Sequence, residues 1–217
     1  MSFTKKIINH ISPYMAQKGY ALSNKCFYII QDEIAYCIEF DVPGGLLYVT
    51  FYVMPLYIPC ENRYYTYGNR LNCMPEVNLS TLKKDANNHD IAIWCQSLIS
   101  ALEKVVFPFF CQIASSKKLI KFVKNKNDIV SKYFCCPELQ LYRLQVFVCL
   151  HLHEKTDFKK IIKQYRSVLQ SSTFLTDMIK TKYLQELNLV ETLINQSDAD
   201  TISFCNAIVL ESVKKCF

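Results

Sequence analysis

Ile34-Ala35-Tyr36-Cys37-Ile38-Glu39-Phe40-Asp41, then Val42-Pro43-Gly44-Gly45, then the apolar run from Leu46 to Ile58, is the stretch on which the fold turns. Ile34, Tyr36, Ile38 and Phe40 alternate with Ala35, Cys37, Glu39 and Asp41, the two-residue rhythm of a half-buried strand. Proline followed by two glycines is a turn signal. Leu46 to Ile58 has high strand propensity, and Pro55, which cannot donate to a ladder, marks an edge or a bulge. Upstream, Cys26 to Ile30 is aromatic and β-branched, and Gln31 to Glu33 can turn. Three strands joined by short turns predict an antiparallel meander.

Outward from that stretch the rhythm becomes helical. Ser2 caps a first helix with the stripe Phe3, Ile7, Ile11 and Met15. Pro13 is expected to kink or restart this helix after Ser12, and Gly19 to stop it. Residues 59–89 are polar and read as irregular. From Asp90 the stripe Ile91, Trp94, Cys95, Leu98, Leu102, Val105 and Val106 is wide enough to cover a sheet face, and it is expected to end near Pro108. All four glycines precede residue 70 and all seven prolines lie at or before Pro137. The remainder therefore reads as helix after helix. A lysine-rich helix runs from Ser115 or Ser116 to about Val123, and a short one follows to Phe134. A helix opened by Pro137 is apolar nearly all round. The next carries Phe158, Ile161, Ile162, Tyr165, Val168 and Leu169 on one side. Two more are expected from Thr173 to Ile194 and from Thr201 to Lys215. The fold class is α+β: a helix and a three-stranded sheet covered by a helix over residues 1–114, then a helical bundle or helix-pair domain over residues 115–217.

Composition narrows the classes. Of 217 residues, 20% are charged and 51% are hydrophobic, a globular balance. No run approaches the ~18 consecutive apolar residues of a membrane helix. Polar residues after Lys5 and Lys6 interrupt any leader-like core, so neither export nor membrane association is expected. Eleven cysteines sit largely in apolar periodic stretches, where reduced cysteine acts as a small core residue; a cytoplasmic setting follows. The net charge of +6 is uneven, since residues 115–182 hold 14 Lys/Arg against 5 Asp/Glu.

Each candidate site has a plainer reading beside it. Tyr57, Arg63, Tyr64, Tyr65, Tyr67 and Arg70 interleave aromatic rings with guanidinium groups, the residue types of recognition surfaces. The plainer reading is a loop that folds its rings over a sheet edge. Lys117, Lys118, Lys121, Lys159, Lys160 and Lys163 offer a phosphate-binding face or a solvated helix surface. Cys149 and His153, four apart on a helix, would share a face and hold a metal with help from Cys135 and Cys136; a buried thiol and helix-end histidines are the alternative. His10, His89 and His151 complete the histidines from which a cysteine nucleophile would need a base. Glu39 and Asp41 lie on one strand face, where polar residues are expected in any case. No phosphate-loop, dinucleotide or hydrolase motif occurs, and no cofactor is expected.

Met15-Ala16-Gln17-Lys18-Gly19-Tyr20, followed by Asn24-Lys25-Cys26-Phe27-Tyr28 and the strands to Tyr57, resembles the pattern of an uncharacterised bacterial family, the domain of unknown function numbered 4304. The likeness covers about the first 110 residues and implies a fold, with no activity attached. The function expected from these readings is a non-catalytic protein-binding or accessory module of a bacterial cytoplasm, toxin neutralisation and phage defence being variants of it. The alternatives are nucleic-acid binding through the basic helices and a cysteine- or metal-dependent enzyme.

Overall fold

The computed structural model describes residues 2–63, 67–74, 77–124 and 137–217. They divide into two compact units. One comprises Met1–Met54 with Tyr65–Leu119, the other Pro55–Tyr64 with Ile120–Phe217. The second unit thus takes in a short segment from the N-terminal half as well as the helices.

In the first unit, α1 (Phe3–Gln17) starts on Ser2, whose side chain accepts from the Lys5 amide. It runs on through Pro13 instead of restarting; the Ser12 hydroxyl bonds the Ile8 carbonyl one turn back. Gly19 ends it at φ +85°. The Gly19 amide bonds Ala16 O and the Tyr20 amide bonds Met15 O, the paired closure of a Schellman motif.

The sheet has strands β1 (Ala21–Ser23), β2 (Cys26–Gln31), β3 (Ile34–Asp41), β4 (Leu46–Pro55), β5 (Tyr67–Arg70) and β6 (Leu82–Lys83). Strands β1 to β5 are neighbours in chain order, and β6 pairs with β4. The expected three strands are β2, β3 and β4. Three short strands extend the sheet beyond them, two of these in the stretch read as irregular. Asp32 and Glu33, both at positive φ, form the two-residue hairpin between β2 and β3. β5 is set by Gly68: a Cβ there would lie 2.1 Å from the Phe51 carbonyl oxygen, so only glycine lets the strands approach. β3 is not half-buried. Ala35 and Cys37 are as inaccessible as Ile34 and Ile38; Glu39 is half-buried and Asp41 exposed. Both faces of its central part are covered, so alternation in the sequence does not mark a solvent side.

The covering helix is α2 (Asn88–Ala101), a π-helical turn (Leu102–Val106) and α3 (Phe107–Gln112) in succession. It passes Pro108 instead of ending there. Pro108 has no amide hydrogen and crowds the carbonyl four residues back. The π turn widens the backbone before it, and the Phe107 amide bonds Leu102 O, five residues away. By length and composition Asn88–Gln112 could cross a membrane. Its apolar side packs inside the unit: Phe110 meets Tyr36 edge-on at 5.2 Å, and Phe109 meets Phe51 at 5.2 Å.

The second unit is helical. α4 (Ser116–Lys124) bridges the division between the units. It is followed by α5 (Pro137–His151), α6 (Lys155–Ser171), α7 (Asp177–Ile194) and α8 (Asp198–Cys216). The short helix expected before Phe134 lies outside the described residues. Pro137 opens α5 as expected, and every residue from Leu144 to Leu150 is buried, with α6, α7 and α8 as neighbours. α7 and α8 start on Thr176 and Ser197, each a side-chain cap for the amide three residues on. The sequence reading began α7 about a turn too early and α8 about a turn too late.

Candidate functional site

The aromatic stretch divides on inspection. Tyr57 is fully buried and stacks on His151 of α5, with ring centroids 4.2 Å apart and planes 4° from parallel. Arg63 donates from a guanidinium nitrogen to the Cys216 carbonyl at 2.9 Å and lies over the Phe217 ring. Tyr67 is buried in β5. Arg70 is exposed, its guanidinium 4.8 Å above the Tyr48 ring. Tyr64 and Tyr65 lie outside the described residues.

What holds Pro55–Tyr64 in the second unit is a set of groups that the sequence reading did not single out. Arg143 of α5 forms a two-pronged ion pair with Glu186 of α7, its Nε 2.7 Å from Oε1. Its outer nitrogen also donates to the Pro59 carbonyl at 2.9 Å. The Phe147 and Tyr183 rings flank the guanidinium. The pair is 18% and 15% exposed, so its bonds are poorly screened by water. Tyr165 lies close by. Burial first, then the Glu186 charge, holds its phenol protonated well above the ordinary range. At the other end of the segment Lys215 bonds Glu61 at 3.1 Å and Glu211 at 2.8 Å, and its ammonium is pushed up to about 12 by those two carboxylates. Cys60 lies 3.5 Å from Cys216, sulfur to sulfur, and donates to Ser212 Oγ.

Cys149 and His153 do not share a helix face. α5 ends at His151, and His153 takes a left-handed φ of +56°. The His153 amide bonds Leu150 O and the Glu154 amide bonds Cys149 O, a second Schellman closure with histidine where glycine is usual. His153 Nδ1 points toward Asp198 at 3.7 Å while Cys149 stays in the core. Cys135 and Cys136 lie outside the described residues. Among the described residues no three His, Cys, Asp or Glu side chains are arranged to hold a metal. Glu39 accepts from Tyr52 Oη at 2.8 Å, and Asp41 accepts from the Val42 amide, so the two carboxylates have separate tasks. All six named lysines are exposed, and none has an ion-pair partner among the described residues.

The first unit contains a cleft at the π turn. Its cavity of about 280 Å³ is walled by Tyr20, Tyr36, Phe107 and Phe110, with Lys18, Glu103 and Cys111 at the lining. Glu103 accepts from Tyr14 Oη at 2.6 Å and from Lys18 Nζ at 2.7 Å. The Lys18 bond, then the Tyr14 bond, holds its carboxyl below the usual range, so it stays ionised. Burial, helped by the Asp32 charge, pushes Tyr36 up to about 12, and its hydroxyl donates to Ile113 O. These groups are a neutral aromatic wall with an ion pair at its rim. An apolar wall with a few polar groups at its rim is the make-up of a small-ligand cleft. A π turn beside a cavity is a common mark of function, and Pro108 is its sequence signal.

The largest exposed apolar side chains of the second unit are elsewhere. Phe174 is 90% exposed and Met178 79%, both at the entry to α7, with Ile179 beside them. Leu210, on the outer face of α8, is 64% exposed. Comparison of this chain with family models, with curated proteins and with solved structures finds no match.

Proposed function

We propose that the chain is a non-catalytic protein-binding module of a bacterial cytoplasm, and that it makes contact through the apolar entry to α7. The observation that carries this is the exposure of Phe174 and Met178 within five residues of chain. A phenylalanine in water loses the favourable transfer of its ring, which covering it would recover. Thr176 caps α7 between them, so a formed helix start presents both. Cys26, Cys37 and Cys95, buried as small core residues, accord with a reducing compartment. The kinship with the domain of unknown function numbered 4304 stays a proposal about the first 110 residues and contributes no activity. A photo-crosslinking residue at position 178 should capture a discrete protein, and capture should fail with Phe174→Ser. Diffuse labelling no different from that at position 70 would refute the reading.

A second reading rests on the six exposed lysines, which have no ion-pair partner among the described residues. Cationic faces of that kind bind phosphate backbones through counterion release. Retention on immobilised nucleic acid should then fall steeply with salt and be reduced by Lys159→Glu with Lys160→Glu. No retention at low salt would eliminate it.

A further inference from the structure

Cys60 and Cys216 are distinguished from the other described cysteines by position and access. Their sulfurs are 3.5 Å apart, across a separation of 156 residues. Cys60 is half-buried in an irregular stretch, and Cys216 is buried at the end of α8. A disulfide requires the sulfurs to close further, to about 2.05 Å. Cys26 and Cys37 also touch each other through their side chains, but both are fully buried in the sheet, out of reach of an oxidant. Cys73 and Cys111 are exposed on the surface of the first unit.

We propose that Cys60 and Cys216 form an oxidisable thiol pair, which closes to a disulfide by exchange with a low-molecular-weight disulfide such as oxidised glutathione. Closure staples Pro55–Tyr64 covalently to α8. The exchange has two steps. The Cys60 thiol loses its proton to water, and the thiolate attacks one sulfur of glutathione disulfide. The first glutathione leaves as a thiolate. The Cys216 thiol then loses its proton, and its sulfur attacks the Cys60 sulfur of the mixed disulfide, expelling the second glutathione. Two protein thiols are oxidised to one disulfide, and one glutathione disulfide is reduced to two thiols.

The order follows from access. Cys60 is the sulfur a reagent can approach. Cys216 is shielded, and burial first, with its contact to Cys60, pushes its thiol up to about 12; the charges of Arg63 and Lys215 work in the opposite direction. Cys216 is therefore the resolving partner. Its reaction is helped by proximity, which replaces a bimolecular encounter with an intramolecular one.

The test is to incubate the folded full chain with oxidised glutathione, quench with acid, alkylate and map the peptides by mass. The expected result is a Cys60–Cys216 cross-link that forms under native conditions and reverses with a dithiol reductant. In Cys216→Ser the reaction should halt with glutathione on Cys60. In Cys60→Ser, Cys216 should remain a free thiol. Cys60 and Cys216 both remaining free while Cys73 and Cys111 carry glutathione would overturn the proposal. A cross-link that forms only in denaturant would overturn it equally. Glutathione on Cys216 in Cys60→Ser would reverse the assigned roles and refute the proposed sequence of attack. The wild-type map decides the pairing even if either serine variant fails to fold.

Discussion

The stretch from Tyr57 to Arg63 and the stretch from Phe174 to Met178 exchange the roles that their compositions suggest. The first opens the run to Arg70 whose tyrosines and arginines read as a recognition surface. Yet Tyr57 is sealed against His151 and Arg63 is tied to the Cys216 carbonyl. The second, Phe174-Leu175-Thr176-Asp177-Met178, reads as the first turns of an amphipathic helix, yet its aromatic ring is 90% exposed. The difference lies in distant partners. Tyr57–Arg63 meets complementary groups from α5 and α8, each more than 80 residues along the chain. Phe174 and Met178 flank a helix cap and stay exposed. Amphipathic residues serve a core edge as well as a surface, and composition alone does not separate the two uses.

The sharpest way to break this comparison is Arg143→Ala. The substitution leaves the Glu186 carboxylate facing a mostly buried site with its bidentate partner gone, and it takes a donor from Pro59 O. Removing one member of a buried pair costs roughly 3–5 kcal/mol. Denaturant unfolding should show that loss, and Pro55–Tyr64 should become the first site of proteolytic cleavage. Replacing the pair together, Arg143→Met with Glu186→Leu, should recover most of the stability, because no charge is left stranded. Little loss in the single variant would mean that the segment is held by something other than the Arg143 node.

Tyr57→Ala comes next. It deletes a fully buried ring and one face of the stack on His151, at a cost of about 3 kcal/mol. Tyr57→Phe keeps the ring and should stay within about 1 kcal/mol. A surface role for Tyr57 would give the opposite pattern, with stability unmoved in both variants.

Those two sites also show what the sequence makes legible. Local signals carry well: Ser2 and Gly19 bound α1, Pro137 opens α5, and the rhythm of Ile34–Asp41 gives a strand. They carry because each is settled within a few residues. Three features escaped because their causes are distant or cancel locally. β5 depends on Gly68 approaching the β4 backbone, and four residues of Tyr-Gly-Asn-Arg have no rhythm of their own. α3 continues past Pro108 because a π turn makes room, whereas proline in sequence reads as a stop. The alternation in β3 suggested a wet face, but Ala35 and Cys37 are as buried as their neighbours. At the candidate metal position the reading assumed a continuous helix from Cys149 to His153, and the left-handed turn at His153 breaks the spacing on which it depended.

That turn supplies a smaller and opposite effect. His153 adopts φ +56°, where a Cβ is disfavoured and glycine is not. His153→Gly should raise stability by about 0.5–1 kcal/mol, the relief of strain being partly offset by a more flexible unfolded chain. The Asp198 contact at 3.7 Å is solvent-accessible and weak, so its loss subtracts little. A thermal melt should show the midpoint up by roughly 1–4 °C. A lower midpoint would show that the histidine ring itself holds the α5–α6 connection.

The smallest effect on stability belongs to the most exposed residues, and there the comparison is most informative. Phe174→Ser with Met178→Ser removes two apolar side chains that lie almost wholly in water. Folding gains little from groups that stay hydrated, so the stability change should lie within about 0.5 kcal/mol. The unfolded chain exposes the same side chains, which leaves almost no difference between the two states for the substitution to alter. Solubility at high concentration should rise, since the apolar patch is removed. Measured beside Tyr57→Ala, this double variant separates two uses of large side chains. One should lose stability and keep any interaction made at the α7 entry. The other should keep stability and lose that interaction. If Phe174→Ser with Met178→Ser instead destabilises the fold by more than about 2 kcal/mol, those side chains are covered in solution, and the entry to α7 belongs to the core.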